Sequence, residues 1–411
     1  MDACREVNEA IKEAKEESWR EVVEGAVADG DERKVWSFVK QLNGNPNTNS
    51  PNDVLVHKGK RITSHKRKAD CFVVHYADVS KLNFNAADKI INRRYKDLLR
   101  NPTVDGESCK NFSMKELKVA LRKMKRKGAP GPDDITPTFL KELGPKALVV
   151  LLGIYNESFR HAACPQIWRS AIIVPLLKAG KPPGVIKSYR PVSLTSCVVK
   201  LLERLFAERI YHIMETSNRF SKLQAGFRKG RSCEDQILKI TQAIENGFQQ
   251  KKLHRSVLVL LDYSSAFDTV WRQRLILSMS DQGIPQQMIR WIASFLSGRQ
   301  AKVRFGDGMS RSRTMRQGLP QGSILSPLLF IMYINNLAEI LPDSETISIF
   351  ADDVAILVTR RSGKEAEERA QEVVNMVIKW SREWKLTLNS SKSEVFFSLR
   401  GPGIQTTNPP S

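Results

Sequence analysis

Two adjacent aspartates, Asp352 and Asp353, stand between the β-like runs Ile347 to Phe350 and Val354 to Val358. Neighbouring carboxylates repel, and strands that bury them strip their hydration, so the turn needs a cation or hydrogen-bond donors. A hairpin tip that gathers acidic oxygens suits a hard divalent ion. Aspartate is also an ordinary solvated turn residue, so Phe350-Ala351-Asp352-Asp353 alone leaves both readings open.

A third acid narrows them. Val257 to Leu261 is an unbroken apolar run that reads as a buried strand, and Asp262 ends it. Asp262 and the pair Asp352, Asp353 each end or interrupt a strand, and pairing of those strands would bring the three together. Such a set suits two Mg²⁺ ions, which are satisfied by a few carboxylates together with substrate phosphates and water.

Asp262-Tyr263-Ser264-Ser265-Ala266-Phe267-Asp268, the segment Gln317 to Pro327 around Gly318-Leu319-Pro320-Gln321-Gly322, and Phe350 to Asp353 resemble motifs A, B and C of reverse transcriptases. The variant is that of non-LTR, or LINE-type, retrotransposons. Ser188 to Leu194, Gln224 to Ser232 and Leu388 to Glu394 resemble further family pieces, and all occur in the family's order between about residues 110 and 400.

The charge balance agrees. Of the formal net charge of +21, residues 1 to 50 contribute −4, which leaves +25 for residues 51 to 411. An excess of that size predicts binding to phosphate backbones with steep salt dependence. No apolar run approaches the ~18 residues needed to span a bilayer, so no membrane role is expected. The six cysteines are scattered without C-x-x-C spacing and read as reduced intracellular thiols. The start lacks the features of a secretory signal, so an intracellular protein is expected, and the resemblance implies the nucleus.

The expected fold is α+β: the fingers and palm of a right-hand polymerase, with an antiparallel palm sheet and packed helices. Residues 1 to 105 read as a helical connector with a polar linker near 44 to 52, and the stretch after that linker reads as helical to about Leu99, broken by a turn at Gly59-Lys60. Residues 106 to 255 read as fingers, 256 to 400 as palm, and 401 to 411 as a polar tail. Ser113 and Glu116 form a capping box ahead of a helix whose inner face is Leu117, Ala120, Leu121 and Met124. Arg169 to Lys178 reads as a strand, Val198 to Ile213 as an amphipathic helix, and Thr269 to Met279 as a helix capped by Asp268. Asp133 and Asp134 read as turn and capping acids.

The resemblance implies an RNA-directed DNA polymerase that joins a nucleotide to a primer 3′-hydroxyl by a two-metal mechanism. Its partners would be an RNA template, a DNA primer and deoxynucleoside triphosphates, and its ions Mg²⁺, with Mn²⁺ as a substitute. Asp262, Asp352 and Asp353 would hold the metals, and Lys392 would donate a proton to pyrophosphate. Lys178, Arg190, Phe267, Gln321 and Gly322 would meet the incoming nucleotide, with Phe267 beneath the sugar. Phe227, Arg228, Lys229 and Arg231 would touch the template, an aromatic face among cations. No helical thumb follows Val395 to Leu399, so a truncated reading frame is expected. A catalytically inactive, nucleic-acid-binding remnant is the alternative.

Overall fold

The computed structural model describes residues 54–57, 59–100, 110–249, 255–398 and 405–407. The expected helical arm over residues 1 to 43 and the linker near 44 to 52 lie outside them. The chain divides into two compact units, Met1–Arg61 with Leu176–Arg190, and Ile62–Pro175 with Pro191–Ser411.

In the smaller unit, β1 (Leu55–His57) and β2 (Lys60–Ile62) pair around Gly59, whose φ of 75° only glycine adopts without strain. This hairpin replaces the start of the helical stretch expected after the linker. Helices follow only at His65–Val79 and Asp88–Arg100. Val56 N–H donates to the Gly184 carbonyl at 2.8 Å, and Lys178 N–H to that of Ser188 at 2.9 Å.

The larger unit is built on two sheets. One runs in the order β4 (Tyr189–Thr195), β3 (Ser170–Leu177), β6 (Gln300–Phe305), β7 (Gly308–Met309), with β8 (Arg313–Thr314) also on β6. It is mixed, since β3 and β6 are parallel in the register Ser170↔Gln300 to Ile173↔Val303. The other sheet is antiparallel, in the order β12 (Gln405–Thr407), β11 (Glu394–Ser398), β5 (Arg255–Leu261), β10 (Asp353–Arg360), β9 (Thr346–Phe350). Part of the expected polar tail thus forms a strand: Gln405–Thr407 pair with Val395 to Phe397. Two threonines suit a pleated edge, and their pairing satisfies backbone groups that β11 would otherwise expose.

Around the antiparallel sheet lies one continuous core. The helix Ser326–Ile334, with sequence SPLLFIMYI, is buried on nearly every side, as a helix apolar all round must be. Phe206, on the helix Cys197–Thr216, stacks on Trp291 of the helix Gln286–Leu296 at a ring separation of 4.1 Å. The capping box at Ser113 and Glu116 forms, starting the helix Met114–Lys123 with Leu117, Ala120 and Leu121 buried. Among the described residues no helix is long and apolar enough to cross a membrane.

One buried cation organises the approach to the glycine-rich loop. Arg272 donates to five carbonyls: Gly318 from Nε at 2.8 Å, Leu296, Met315 and Arg316 from Nη1 at 2.6, 2.9 and 3.1 Å, and Gln317 from Nη2 at 3.1 Å. Burial, with Arg299 nearby, lowers its pKa to about 9, which leaves it charged at neutral pH. The planar guanidinium spreads five donors where an ammonium could not. Arg272→Met keeps much of the apolar stem and strands these carbonyls, so urea unfolding should show a loss of about 3 kcal/mol or more. A loss under about 1 kcal/mol would mean that the carbonyls find water instead.

Candidate active site

The register of the antiparallel sheet brings the acids together. Val354 pairs with Leu261, so Asp353 and Asp262 follow as the next opposed positions, one step beyond the last pair. Residues so opposed have Cβ atoms about 5 Å apart, close enough for like charges to repel. Asp262 and Asp353 share the lining of a groove of about 540 Å³ with Phe350 and Lys392. Asp352 occupies the turn before β10.

The electrostatics follow from this convergence. Burial pushes the Asp352 carboxyl above the usual carboxylate range, and the charges of Asp353 and Asp262 push it the same way, against Lys392. Asp353 is raised for the same reasons, first by burial and then by Asp262. Lys392 extends its ammonium to both Asp262 oxygens at 3.3 Å while remaining 59% exposed. The loop that carries it wraps Asp262. Asn389 N–H donates to the Asp262 carbonyl at 2.8 Å, and Asn389 Nδ2 donates to Asp262 Oδ2 at 3.1 Å.

The turn itself is held from outside the hairpin. Ala351 adopts a left-handed backbone, φ 56°, which a non-glycine residue keeps only when its surroundings enforce it. Leu223 and Ala225 bond Ile349 of β9 through Ile349 N–H to the Leu223 carbonyl at 3.0 Å and Ala225 N–H to the Ile349 carbonyl at 2.8 Å. Residues 223 to 225 therefore run beside the strand that enters the turn. Gln224 Oε1 accepts from Gly226 N–H at 2.8 Å and from Ala351 N–H at 2.9 Å.

Aromatic contacts then lead from this turn to the glycine-rich loop. Phe227, 51% exposed, meets Phe267 edge-on at 6.4 Å, and Phe267 stacks on Phe330 at 4.5 Å. Asp268 does not cap a helix as expected. The segment Ala266–Thr269 is a 3₁₀ turn, the next helix is Arg272–Asp281, and Asp268 Oδ2 accepts from Gln321 Nε2 at 2.9 Å. A polar partner across the cleft outcompetes the local cap. Gly318, with φ 83°, lies so close to Asp268 that an added Cβ would stand 2.3 Å from its carbonyl oxygen, and Gly322, with φ 110°, crowds Ser193 in the same way. Behind the loop, buried Glu203 accepts from Ser323 Oγ, and from Leu325 N–H at 3.1 Å, at the start of the helix Ser326–Ile334. Burial pushes the Glu203 carboxyl above its ordinary range.

Lys178 and Arg190 belong to the smaller unit, where Lys178 Nζ donates to the Lys187 carbonyl at 3.0 Å and Arg190 is exposed. Arg228 is committed internally. Its side chain is 7% exposed, pairs with Glu215 at 2.8 Å, and donates to the Ser221 and Gln224 carbonyls at 2.8 and 3.3 Å. Lys229 and Arg231 are exposed. Asp133 is a turn acid that accepts from Ser196 Oγ, and the helix beyond it is capped by Thr136. Sequence reasoning missed Gln224, Glu203 and Arg272 as organising groups. Their only signal is a polar residue amid an apolar or motif-bearing stretch.

Residues 177–407 match the family model described as reverse transcriptase (RNA-dependent DNA polymerase), and the chain belongs to that family. Among its relatives, it is 30% identical over 367 residues to the probable RNA-directed DNA polymerase from transposon BS of Drosophila melanogaster, covering 87% of this chain and 40% of that protein. It is 33% identical over 295 residues to the probable RNA-directed DNA polymerase from transposon X-element of the same fly, covering 70% of this chain and 32% of that protein. The RNA-directed DNA polymerase from mobile element jockey, again from Drosophila melanogaster, is 28% identical over 331 residues, with 78% and 36% covered. The chain thus spans well under half the length of these relatives.

The raised carboxylates carry a stability consequence. An acid whose pKa is higher in the fold than in the unfolded chain favours the fold when protonated, and that benefit is lost as pH rises through the folded pKa. At neutral pH the charged turn therefore costs stability. Asp352→Asn should raise the melting temperature of the metal-free protein at pH 7, and the advantage should shrink as pH falls through the raised folded pKa and be gone below about 4, the ordinary aspartate pKa. Calorimetric scans across that range check it, and an equal gain at every pH would contradict the electrostatic origin.

Proposed function

We propose that this chain carries the polymerase core of a non-LTR retrotransposon reverse transcriptase and extends a primer 3′-hydroxyl with deoxynucleotides on an RNA template. The antiparallel sheet would serve as the palm and residues 106 to 255 as fingers. The observation that carries this reading is the convergence of Asp262 with Asp352 and Asp353 at one end of the central β5–β10 pair, linked by contacts through Phe227 and Phe267 to the Gln321 loop.

The residues present suit divalent ions. The charge of Asp262 raises the proton affinity of Asp352 and Asp353, and Asp262 draws the Lys392 ammonium, so the three carboxylates make a field that favours a cation. Among the described residues no group of three or more acidic, histidine or cysteine side chains forms a ready metal cage. The ion proposed is Mg²⁺, which keeps waters and takes substrate phosphates as ligands, with Mn²⁺ as its substitute. Asp262, Asp352 and Asp353 would hold two such ions, which when bound favour the deprotonated 3′-hydroxyl and offset charge on the leaving pyrophosphate.

Other residues serve binding and proton transfer. On its release from Asp262, Lys392 Nζ would give a proton to a pyrophosphate oxygen. Arg190 offers a fixed fork to the triphosphate and Lys178 a mobile charge. Phe267, braced by Phe330, would lie under the sugar and exclude a 2′-hydroxyl, and Gln321 and Gly322 would border the base. Phe227, Lys229 and Arg231 would meet the template, and Arg228 would secure their loop through Glu215. The nucleus is the expected place of work, by family resemblance.

Primer extension on an RNA template with Mg²⁺, comparing this chain with Asp352→Asn, tests the assignment. The variant should lose on the order of 10³-fold in rate. Equal background incorporation by both proteins would leave the inactive nucleic-acid-binding remnant as the better reading. In the same assay Phe267→Val should raise ribonucleotide use relative to deoxynucleotide use by about tenfold or more, since only a steric contact is removed. Unchanged discrimination would remove Phe267 from the sugar pocket.

A further inference from the structure

Gln224 is the only described side chain that accepts from the Ala351 amide, and three features make that contact more than incidental. First, the side chain is 1% exposed, so its amide group is fully withdrawn from water. Burial of that kind is costly unless hydrogen bonds compensate. Second, the compensation is one-sided. Oε1 accepts two backbone N–H groups, from Gly226 at 2.8 Å and Ala351 at 2.9 Å, whereas Nε2 has no partner among the described residues. The acceptor is what the position uses.

Third, the backbone behind the glutamine is pressed against the same turn. A Cβ added to Gly226 would stand 2.3 Å from Ala351 N, nearer than any real contact, so only glycine permits the approach. Ala351 in turn holds its left-handed conformation directly before Asp352 and Asp353. An amide proton turned toward Gln224 in the left-handed geometry would lose its partner if the peptide rotated toward an extended one. The hydrogen bond thus opposes the relaxation that repulsion between the carboxylates promotes.

We propose that Gln224 is a positioning residue: by accepting the Ala351 amide it fixes the left-handed turn that presents Asp352 and Asp353 on the Asp262 side of the sheet. Its catalytic consequence rests on the polymerase reading given above. Gln224 touches no reacting group. It acts through the backbone, and its loss should spoil carboxylate placement while leaving the binding of primer and template alone.

Two variants and two readouts separate this from simple loss of folding. Gln224→Met keeps the volume and removes the acceptor, and Gln224→Glu keeps the acceptor. Hydrogen exchange of the Ala351 amide, which needs no activity, should accelerate tenfold or more in Gln224→Met and stay near wild type in Gln224→Glu. In primer extension, Gln224→Met should raise the Mg²⁺ concentration for half-maximal rate severalfold and lower kcat, with KM for primer-template unchanged, and Gln224→Glu should recover most of the Mg²⁺ response. Gly226→Ala should reproduce the Gln224→Met kinetics by displacing the same peptide. Unaltered exchange in Gln224→Met overturns the proposal, as does faster exchange with an unshifted Mg²⁺ requirement. If the wild-type chain extends no primer, the polymerase reading fails by itself, and the exchange measurement alone decides whether Gln224 holds the turn.

Discussion

Repulsion among three carboxylates at one end of the central β5–β10 pair is the constraint on which the geometry of the site depends. Asp353 and Asp262 are held opposite each other by a register that runs unbroken from Val354↔Leu261 to Arg360↔Arg255, so neither can retreat without disturbing the whole β5–β10 pairing. Asp352 is held by a turn whose left-handed residue is bonded from a separate segment. The charged turn costs stability at neutral pH, since Asp352 and Asp353 both have raised proton affinity. Lys392 relieves part of that cost from an exposed loop, and an exposed lysine is the kind of counter-charge that can leave when a stronger cation arrives.

The glycine-rich loop is secured by a different physical device. Its N-terminal side is fixed by Arg272, whose donors fill five carbonyls, and its C-terminal side by Glu203, which fills the amide of Leu325. One buried cation and one buried carboxyl therefore anchor the two ends of a loop whose middle, at Gln321, reaches Asp268 beside Phe267. Loops with so many backbone polar groups rarely survive inside a protein without this degree of satisfaction. The arrangement leaves Gln321 defined in position and Gly318 and Gly322 free of side chains that would block close approach.

Much of this was legible in the sequence where a local rule decides the outcome. The strand before Asp262 follows from Val257 to Leu261, an unbroken apolar run in which Val257, Val259 and Leu261 are buried and Leu258 and Leu260 half-buried. The capping box at Ser113 is a contact between residues three apart, and it forms as read. What the sequence did not show are contacts that cross long separations. Asp268 looks like an N-cap because aspartate before a helical pattern usually is one, yet its partner is Gln321, 53 positions away. Gln405–Thr407 read as tail because three polar residues carry no strand signal until β11 supplies an edge.

The same limit explains the segment Gln224 to Arg231. Its composition, an aromatic among cations and glycines, reads as a template contact, and Phe227, Lys229 and Arg231 do remain exposed. Arg228 and Gln224 turn inward, however, one to Glu215 and the other to the turn before the paired aspartates. Nothing in the local pattern distinguishes the inward Gln224 and Arg228 from the outward Lys229 and Arg231, because all four are polar and none follows a helical or strand period. The distinction is made by packing: Gly226 admits the Ala351 backbone, and once that approach is made Gln224 lies within reach of the amide that needs an acceptor. A stretch that carries exposed cations on one side and grips the carboxylate turn on the other joins two duties in eight residues. Displacement of its outer part by a bound strand would therefore be felt first at Ala351, the peptide from which Asp352 and Asp353 are presented.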